Sequence, residues 1–332
     1  MQQVNHILVT GGAGYVGSAL VPRLLDEGHR VTVLDLYLYG EQVFGEYHEH
    51  PNLREVKGDL RDGQVVAKAV HSCDAVIHLA CISNDPSFEL NPGLGKSINL
   101  DAFRPLVEQS VQAGVGRFIY ASSSSVYGIK NEPNVHEGMA LDPLTDYSRF
   151  KADCEQILLE YQSNDFTTVT IRPATVCGYA RCQRLDVVVN ILTNLAYHKR
   201  EITIFGGDQL RPNIHIQDMV DAYLLILGAD REKVAGKIFN AGYENQPVRE
   251  LAEAVKAVVG KDVSLVTTPT DDNRSYHISS QRIADELGFI AKRSIKEAAQ
   301  DLVYAFEQGL LPDSLTNERY FNIKRMQSVK LT

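Results

Sequence analysis

Tyr147-Ser148-Arg149-Phe150-Lys151 sets a phenol and an ammonium four residues apart. On a helix, an i, i+4 pair shares one face, and a neighbouring cation favours phenolate over phenol. A tyrosine drawn down from its reference pKa of about 10 can act as a general base. Upstream, Ser122-Ser123-Ser124-Ser125 runs into Val126-Tyr127-Gly128 and offers hydroxyls beside such a base. Taken singly, a serine run more often fills a turn, and Y-x-x-x-K occurs on many helices by chance. Their meaning depends on what precedes them.

What precedes them is Thr10-Gly11-Gly12-Ala13-Gly14-Tyr15-Val16-Gly17. Glycines at 11, 14 and 17 permit a tight turn, close approach of backbone to a diphosphate, and close packing of the next helix on a sheet. The diphosphate would lie on the N–H groups opening that helix, beside Tyr15 and Val16. A second strand ends in Asp35, whose carboxylate accepts from adenosine ribose hydroxyls and repels a 2′-phosphate. NAD is therefore the expected cofactor. No lysine follows the last glycine, which argues against a P-loop ATPase.

These groups need a scaffold, and the apolar pattern supplies one. Strands are expected at His6–Thr10, Arg30–Asp35, Leu53–Lys57, Ala75–His78, Arg117–Ser122 and Thr167–Arg172, with helices between them, notably Gly14–Glu27, Asn99–Ala113 and Asp146–Ser163. Strict alternation implies an α/β fold, a parallel doubly wound sheet covered on both faces. After Pro173 the rhythm turns more helical: Leu185–Tyr197, Ile216–Leu227, Val248–Val259, Gln281–Leu287 and Ile295–Gln308, with a short strand at Ile202–Phe205. We expect a cofactor domain from 1–175, with a contribution from about 213–240, and a smaller, mostly helical substrate domain from 176–212 and 241–332.

Composition narrows the partners. The 332 residues, 44% of them hydrophobic, can bury a sizeable core. A net charge of −9 argues against a nucleic-acid partner, so an anionic ligand must be held by local arginines or backbone amides. Five cysteines, Cys73, Cys81, Cys154, Cys177 and Cys182, form no C-x-x-C pair and read as reduced packing thiols. His48, His50, His215 and His277 lack metal-ligand spacing, so no metal is expected. Neither a signal peptide nor an apolar run approaching a membrane span appears, and the expected location is cytoplasmic.

The glycine spacing, the serines before Val-Tyr-Gly and the Tyr-x-x-x-Lys pair together resemble the extended short-chain dehydrogenase/reductase family of NAD-dependent nucleotide-sugar epimerases and dehydratases. The resemblance implies a Rossmann-type fold and a triad of Ser123, Tyr147 and Lys151. In it Tyr147 removes a sugar hydroxyl proton, Lys151 also holds the nicotinamide ribose, and Ser123 bonds the reacting oxygen. It implies that Asp59 and Leu60 of Gly58-Asp59-Leu60 lie near the adenine, and that Leu79, Ala80, Cys81 and Pro173 border the cofactor. Asn99 opens a segment similar to the family's N-x-x-G-T, although Asp101-Ala102-Phe103 replaces the usual continuation.

Arg172-Pro173-Ala174-Thr175-Val176-Cys177-Gly178 resembles the family's R-P-x-N-V-Y-G, with Thr175 for the usual Asn and Cys177 for the usual aromatic. The resemblance implies substrate contacts from Ser83, Ser124, Ser125, Thr175, Arg184, Arg211 and Arg274, the arginines suiting a diphosphate through their planar forks. Related dehydratases carry an acidic pair where this chain has Ser124 and Ser125, which disfavours dehydration. The expected reaction is epimerisation of a nucleotide-diphosphate sugar at carbon 4. The alternative is a dehydrogenase or reductase, of a heptose for example, that exchanges its cofactor; a non-catalytic dinucleotide-binding regulator is the outlying reading. A homodimer through the helices around 99–113 and 146–163 is expected by the same resemblance, with Phe103, Leu106 and Val107 free to face either the bundle or the sheet.

Overall fold

A computed structural model describes residues 4–83, 85–270, 275, 277–329 and 331. The strands are β1 (His6–Thr10), β2 (Arg30–Asp35), β3 (Leu53–Lys57), β4 (Ala75–His78), β5 (Arg117–Ala121), β6 (Thr167–Pro173), β7 (Thr175–Cys177), β8 (Glu201–Phe205), β9 (Leu210–His215), β10 (Lys237–Ala241), β11 (Glu244–Pro247) and β12 (Ser264–Thr268). Seven of them form one parallel sheet in the order β10-β6-β5-β4-β1-β2-β3. Every residue of β1 and of β4 is buried, as expected of strands covered on both faces. Chain order reverses between β1 and β4, so a crevice opens at their C-terminal ends.

Helices Gly17–Asp26 and Ile216–Gly228 cover one face, with Leu20, Leu24, Val220 and Tyr223 in a core shared with β1, β2 and β6. Helices Gly63–Val70, Phe103–Gln112 and Asp146–Glu160 cover the other. Phe103, Leu106 and Val107 are buried there against Phe118 and Tyr120, so this apolar stripe packs on the sheet and is not available to a helical bundle between subunits. The expected helix from Asn99 instead opens as one wide turn, Ser97–Asp101, and becomes α-helical only at Phe103.

The remaining strands make two small sheets, β11-β9-β7 and β12-β8. Helices Val188–Lys199, Val248–Val259 and Ile295–Glu307 pack over them through Val189, Leu251, Val255 and Ala298. Strands β7, β9, β10, β11 and β12 and several short helices, the C-terminal one among them, escaped the sequence reading. Strand β10 is five residues between Gly236 and Gly242, too short for a periodic signal. The C-terminal helix Asn322–Ser328 is polar and weakly patterned, and its place is set by contacts with distant residues.

One buried ion pair links these layers. Arg172 on β6 donates from Nε to Glu155 Oε1 at 2.9 Å and from Nη2 to Oε2 at 2.5 Å, both side chains almost wholly enclosed. Its Nη1 donates to the Tyr127 hydroxyl at 2.8 Å, which donates to Asn240 Oδ1 on β10 at 2.7 Å. Ser122 Oγ also donates to Glu155. Removing one partner of such a pair leaves an uncompensated charge, at a cost of about 3–5 kcal/mol. Glu155→Ala should lower stability by that order in urea unfolding, whereas Glu155→Gln should lose less; equal stability of Glu155→Ala and wild type would remove the pair from this role.

Candidate active site

The crevice widens into a cavity of about 570 Å³ that touches both lobes. Its floor is the glycine turn. Gly11 has φ +71°, and a Cβ there would lie 2.5 Å from the Ala80 nitrogen. A Cβ on Gly17 would meet the Gly12 carbonyl oxygen at 2.4 Å, where the helix is seated against the turn. A side chain at Gly11 would push the turn from the segment after β4, and one at Gly17 would push the helix from the turn, so both places keep bare backbone. Gly14, Tyr15, Val16 and Gly17 line it where the helix begins, the end that carries partial positive charge.

Asp35 closes this end. Its Oδ2 accepts from the Ala13 N–H at 3.0 Å and its Oδ1 from the Tyr37 N–H at 2.7 Å, which ties β2 to the glycine turn. Burial raises its pKa, opposed by those backbone bonds. Asp59 and Leu60 also line the cavity, Asp59 in an ion pair with Arg61 that holds its carboxyl below the usual range. Tyr15 borders the cavity, but its hydroxyl is committed: it donates to the Gly178 carbonyl at 2.7 Å and accepts from Asn190 Nδ2 at 3.0 Å. The shape fits a dinucleotide, with a bare cradle for the diphosphate and a carboxylate at the ribose end.

Ser123, Tyr147 and Lys151 line the same cavity. Thr145 caps the helix Asp146–Glu160 through a reciprocal box with Ser148, fixing its first turn. Tyr147 lies in that turn, Lys151 one turn on and Glu155 one more, a single stripe along the helix. Glu155 is held by Arg172, so the stripe is anchored at its base. Lys151 is 5% exposed; its Nζ donates to the Ala121 carbonyl at 2.7 Å and lies 5.9 Å from the Tyr147 ring centre and 5.1 Å from that of Tyr120. Ser123 caps a short turn at the end of β5, its Oγ 2.8 Å from Ser125 Oγ and accepting from the Ser125 N–H at 3.1 Å. Gly128 ends that turn at φ +67°, where a Cβ would strike the Asp142 carbonyl oxygen.

Leu79, Ala80, Cys81, Ser83, Ser124, Ser125, Pro173, Thr175, Arg184 and Arg211 also line the cavity. Asn99 does not. Its amide accepts from the Ile82 N–H at 2.8 Å and donates to the Ile82 carbonyl at 3.0 Å, so it holds the loop after β4 from behind. Arg274 lies outside the described residues. Sequence reasoning missed Tyr39, Asp186, Met219, Tyr223 and Asn322, all on the cavity wall. Asp186 stood in view beside Arg184; the others carry no motif and arrive by folding.

Among the described residues no group of histidines, cysteines and carboxylates could hold a metal, and no helix is long and apolar enough to cross a membrane. His215 pairs instead with Asp301 at 3.1 Å. All five thiols are free, with Cys81 half-buried and the rest buried.

Fold and site define an α/β enzyme of the extended short-chain dehydrogenase/reductase type. The model of the NAD dependent epimerase/dehydratase family matches residues 7–242, and the chain belongs to that family of NAD-dependent enzymes. Protein y4nG of Sinorhizobium fredii is 34% identical over 221 residues, 66% of this chain but only 52% of its own length. A UDP-glucose 4-epimerase of Lactobacillus helveticus is 28% identical over 79% of this chain and 84% of itself, and a dTDP-glucose 4,6-dehydratase of an Actinoplanes species 27% over 85% and 92%. Among solved structures, UDP-glucose 4-epimerase from Thermotoga maritima with UDP-glucose superposes with a TM-score of 0.82 at 26% identity, covering 92% of this chain and 99% of that one.

His78 gives the site a pH signature. It ends β4 fully buried, its Nδ1 2.7 Å from Thr10 Oγ1 and its ring 5.8 Å from that of Tyr120. Burial, aided by the Lys151 ammonium, pushes its pKa down to about 3. Between pH 6.5 and 3 the unfolded chain therefore carries a proton here that the folded chain refuses. Stability from neutral His78 is complete above 6.5 and falls as pH drops through that window, by at most about 1.4 kcal/mol per pH unit. His78→Asn should flatten the fall of unfolding free energy between pH 6.5 and 4.5; an unchanged slope would show that His78 titrates normally.

Proposed function

We propose that the chain is a nucleotide-diphosphate-sugar epimerase acting at carbon 4. One observation carries the reading: Ser123, Tyr147 and Lys151 share a cavity with a side-chain-free glycine cradle at one end and Arg211 on the opposite lobe. That cavity suits an alcohol held between a dinucleotide and a phosphate-binding arm. The epimerase relatives from Lactobacillus and Thermotoga support it.

NAD, when bound, supplies the hydride acceptor and, in reverse, its donor. The chain's own residues do the rest. Ser123 Oγ holds the reacting hydroxyl and Tyr147 takes its proton as the carbon is oxidised. Lys151, buried and clamped to Ala121, keeps a positive charge under the phenol ring and so favours phenolate. The resulting ketone is flat at carbon 4. A sugar that turned over in the cavity while its nucleotide stayed anchored at Arg211 would present the opposite face of carbon 4, and Tyr147 would give the proton back to its oxygen. Arg172 and Glu155 keep the helix in place throughout and touch no reactant.

A 4,6-dehydratase needs a further acid and base near carbons 5 and 6. The two positions after Ser123 are Ser124 and Ser125, which are poor at either task. The dehydratase relative is nearly as similar as the epimerases, and it is this local chemistry that supports the epimerase reading.

UDP-, dTDP-, GDP-, CDP- and ADP-sugars incubated with the holoenzyme should give a carbon-4 epimer without lasting absorbance of reduced NAD. Accumulating reduced NAD would assign a net oxidoreductase, and a 4-keto-6-deoxy product a dehydratase. Tyr147→Phe should leave NAD affinity within about twofold while kcat falls by roughly 10²–10⁴. Near-normal turnover by that variant would sink the assigned base.

A further inference from the structure

Beyond the catalytic groups, one stretch of the cavity wall is built from three distant parts of the chain: Ser83 after β4, Arg184 and Asp186 after β7, and Asn322 at the start of the C-terminal helix. Arg184 Nε donates to Asp186 Oδ1 at 2.6 Å, and its Nη1 reaches Ser83 Oγ at 3.4 Å. The other oxygen of Asp186 accepts from the Asn322 N–H at 2.7 Å. Asn322 Nδ2 donates to Ser83 Oγ at 2.8 Å. The Arg184 and Asp186 side chains are 19% and 14% exposed, so the pair is enclosed yet borders the cavity.

Count what this wall offers a ligand. The guanidinium charge is balanced within hydrogen-bond distance by Asp186, so it is no unpaired anion receptor. Arg184 keeps N–H groups at Nη2 that no described residue engages, and Asn322 Oδ1 keeps an acceptor with no described protein partner. A donor and an acceptor side by side match a hydroxyl, which both donates and accepts. A carboxylate only accepts; it would meet the Asn322 oxygen and the Asp186 charge, and like charges at close quarters are costly. Arg211 lies on another part of the wall, where it can serve a diphosphate.

We propose that Ser83, Arg184, Asp186 and Asn322 form a hydroxyl-reading subsite that selects an uncharged sugar ring over a uronic acid, with Asp186 setting the selectivity and Asn322 positioning the wall. The inference rests on the nucleotide-sugar reading above and adds the substrate class. It also gives the C-terminal helix a function: Arg325 donates to the Leu38 carbonyl and to Glu318, and Met326 and Leu331 pack on Ile82, Leu94 and Ile98, so the segment carrying Asn322 is fastened to the cofactor lobe at both ends.

The test is titration calorimetry on NAD-loaded protein with UDP-glucose, UDP-glucuronate, GDP-mannose and GDP-mannuronate, and with UDP and GDP as references. Wild type should bind the neutral member of a pair at least about tenfold more tightly than the acidic one. Asp186→Asn keeps the shape and removes the charge; it should bring that ratio close to one with NAD affinity unchanged within error, while Tm falls because Arg184 loses its charge partner. Asn322→Ala should weaken the neutral sugar nucleotide by roughly 5–20-fold without weakening the bare diphosphate. A wild-type preference for the acid, or an unmoved ratio in Asp186→Asn, overturns the subsite and leaves the epimerase reading standing. If no sugar nucleotide binds better than its diphosphate while NAD still binds, the functional reading falls and the subsite with it.

Discussion

The buried pair between Arg172 and Glu155 is the constraint on which the site depends. A helix lying across a parallel sheet can slide and roll, and hydrophobic contacts alone resist this weakly because they have no direction. A two-pronged guanidinium–carboxylate contact does have direction. Through it β6 grips the helix that carries Tyr147 and Lys151, and through Ser122 and Tyr127 the same group orients the serine turn and reaches β10. Tyr147, Lys151 and the serine turn thus inherit their separation from charged atoms buried behind the cavity.

Desolvation cuts both ways here. Enclosing Glu155 and Arg172 would be ruinous singly, and each is tolerated because the other is fully bonded to it. The same enclosure keeps His78 neutral beneath Lys151. A neutral imidazole adds no second cation beside Lys151. Asp35 is a milder case: burial works against its charge, while two backbone N–H groups hold it in place at the end of β2.

The two lobes meet through polar residues from late in the chain. Asn322 and Arg325 reach Ser83, Asp186 and the Leu38 carbonyl, and Tyr15 reaches Gly178.

Much of this was legible in the residue order, for a definite reason. The glycine turn, Asp35, the serine run and Tyr147 with Lys151 each act through local geometry, a turn or one helical face, and local geometry is written in short spacings. The alternation of strands and helices likewise followed from apolar period through six strands. Packing decided the rest. Whether Phe103, Leu106 and Val107 faced the sheet or a partner depended on the roll of a helix, which its own pattern does not set. Asn99 bears the family's motif yet serves the Ile82 backbone, because the wide turn at Ser97–Asp101 points it behind the loop. Strand β10, the place of Asn322 and the pairing of Arg184 with Asp186 across from Ser83 are long-range outcomes. They come from segments 68 residues apart (Lys237 with Val169) to 239 apart (Asn322 with Ser83) being pressed together by a common core, and no spacing along the chain encodes them.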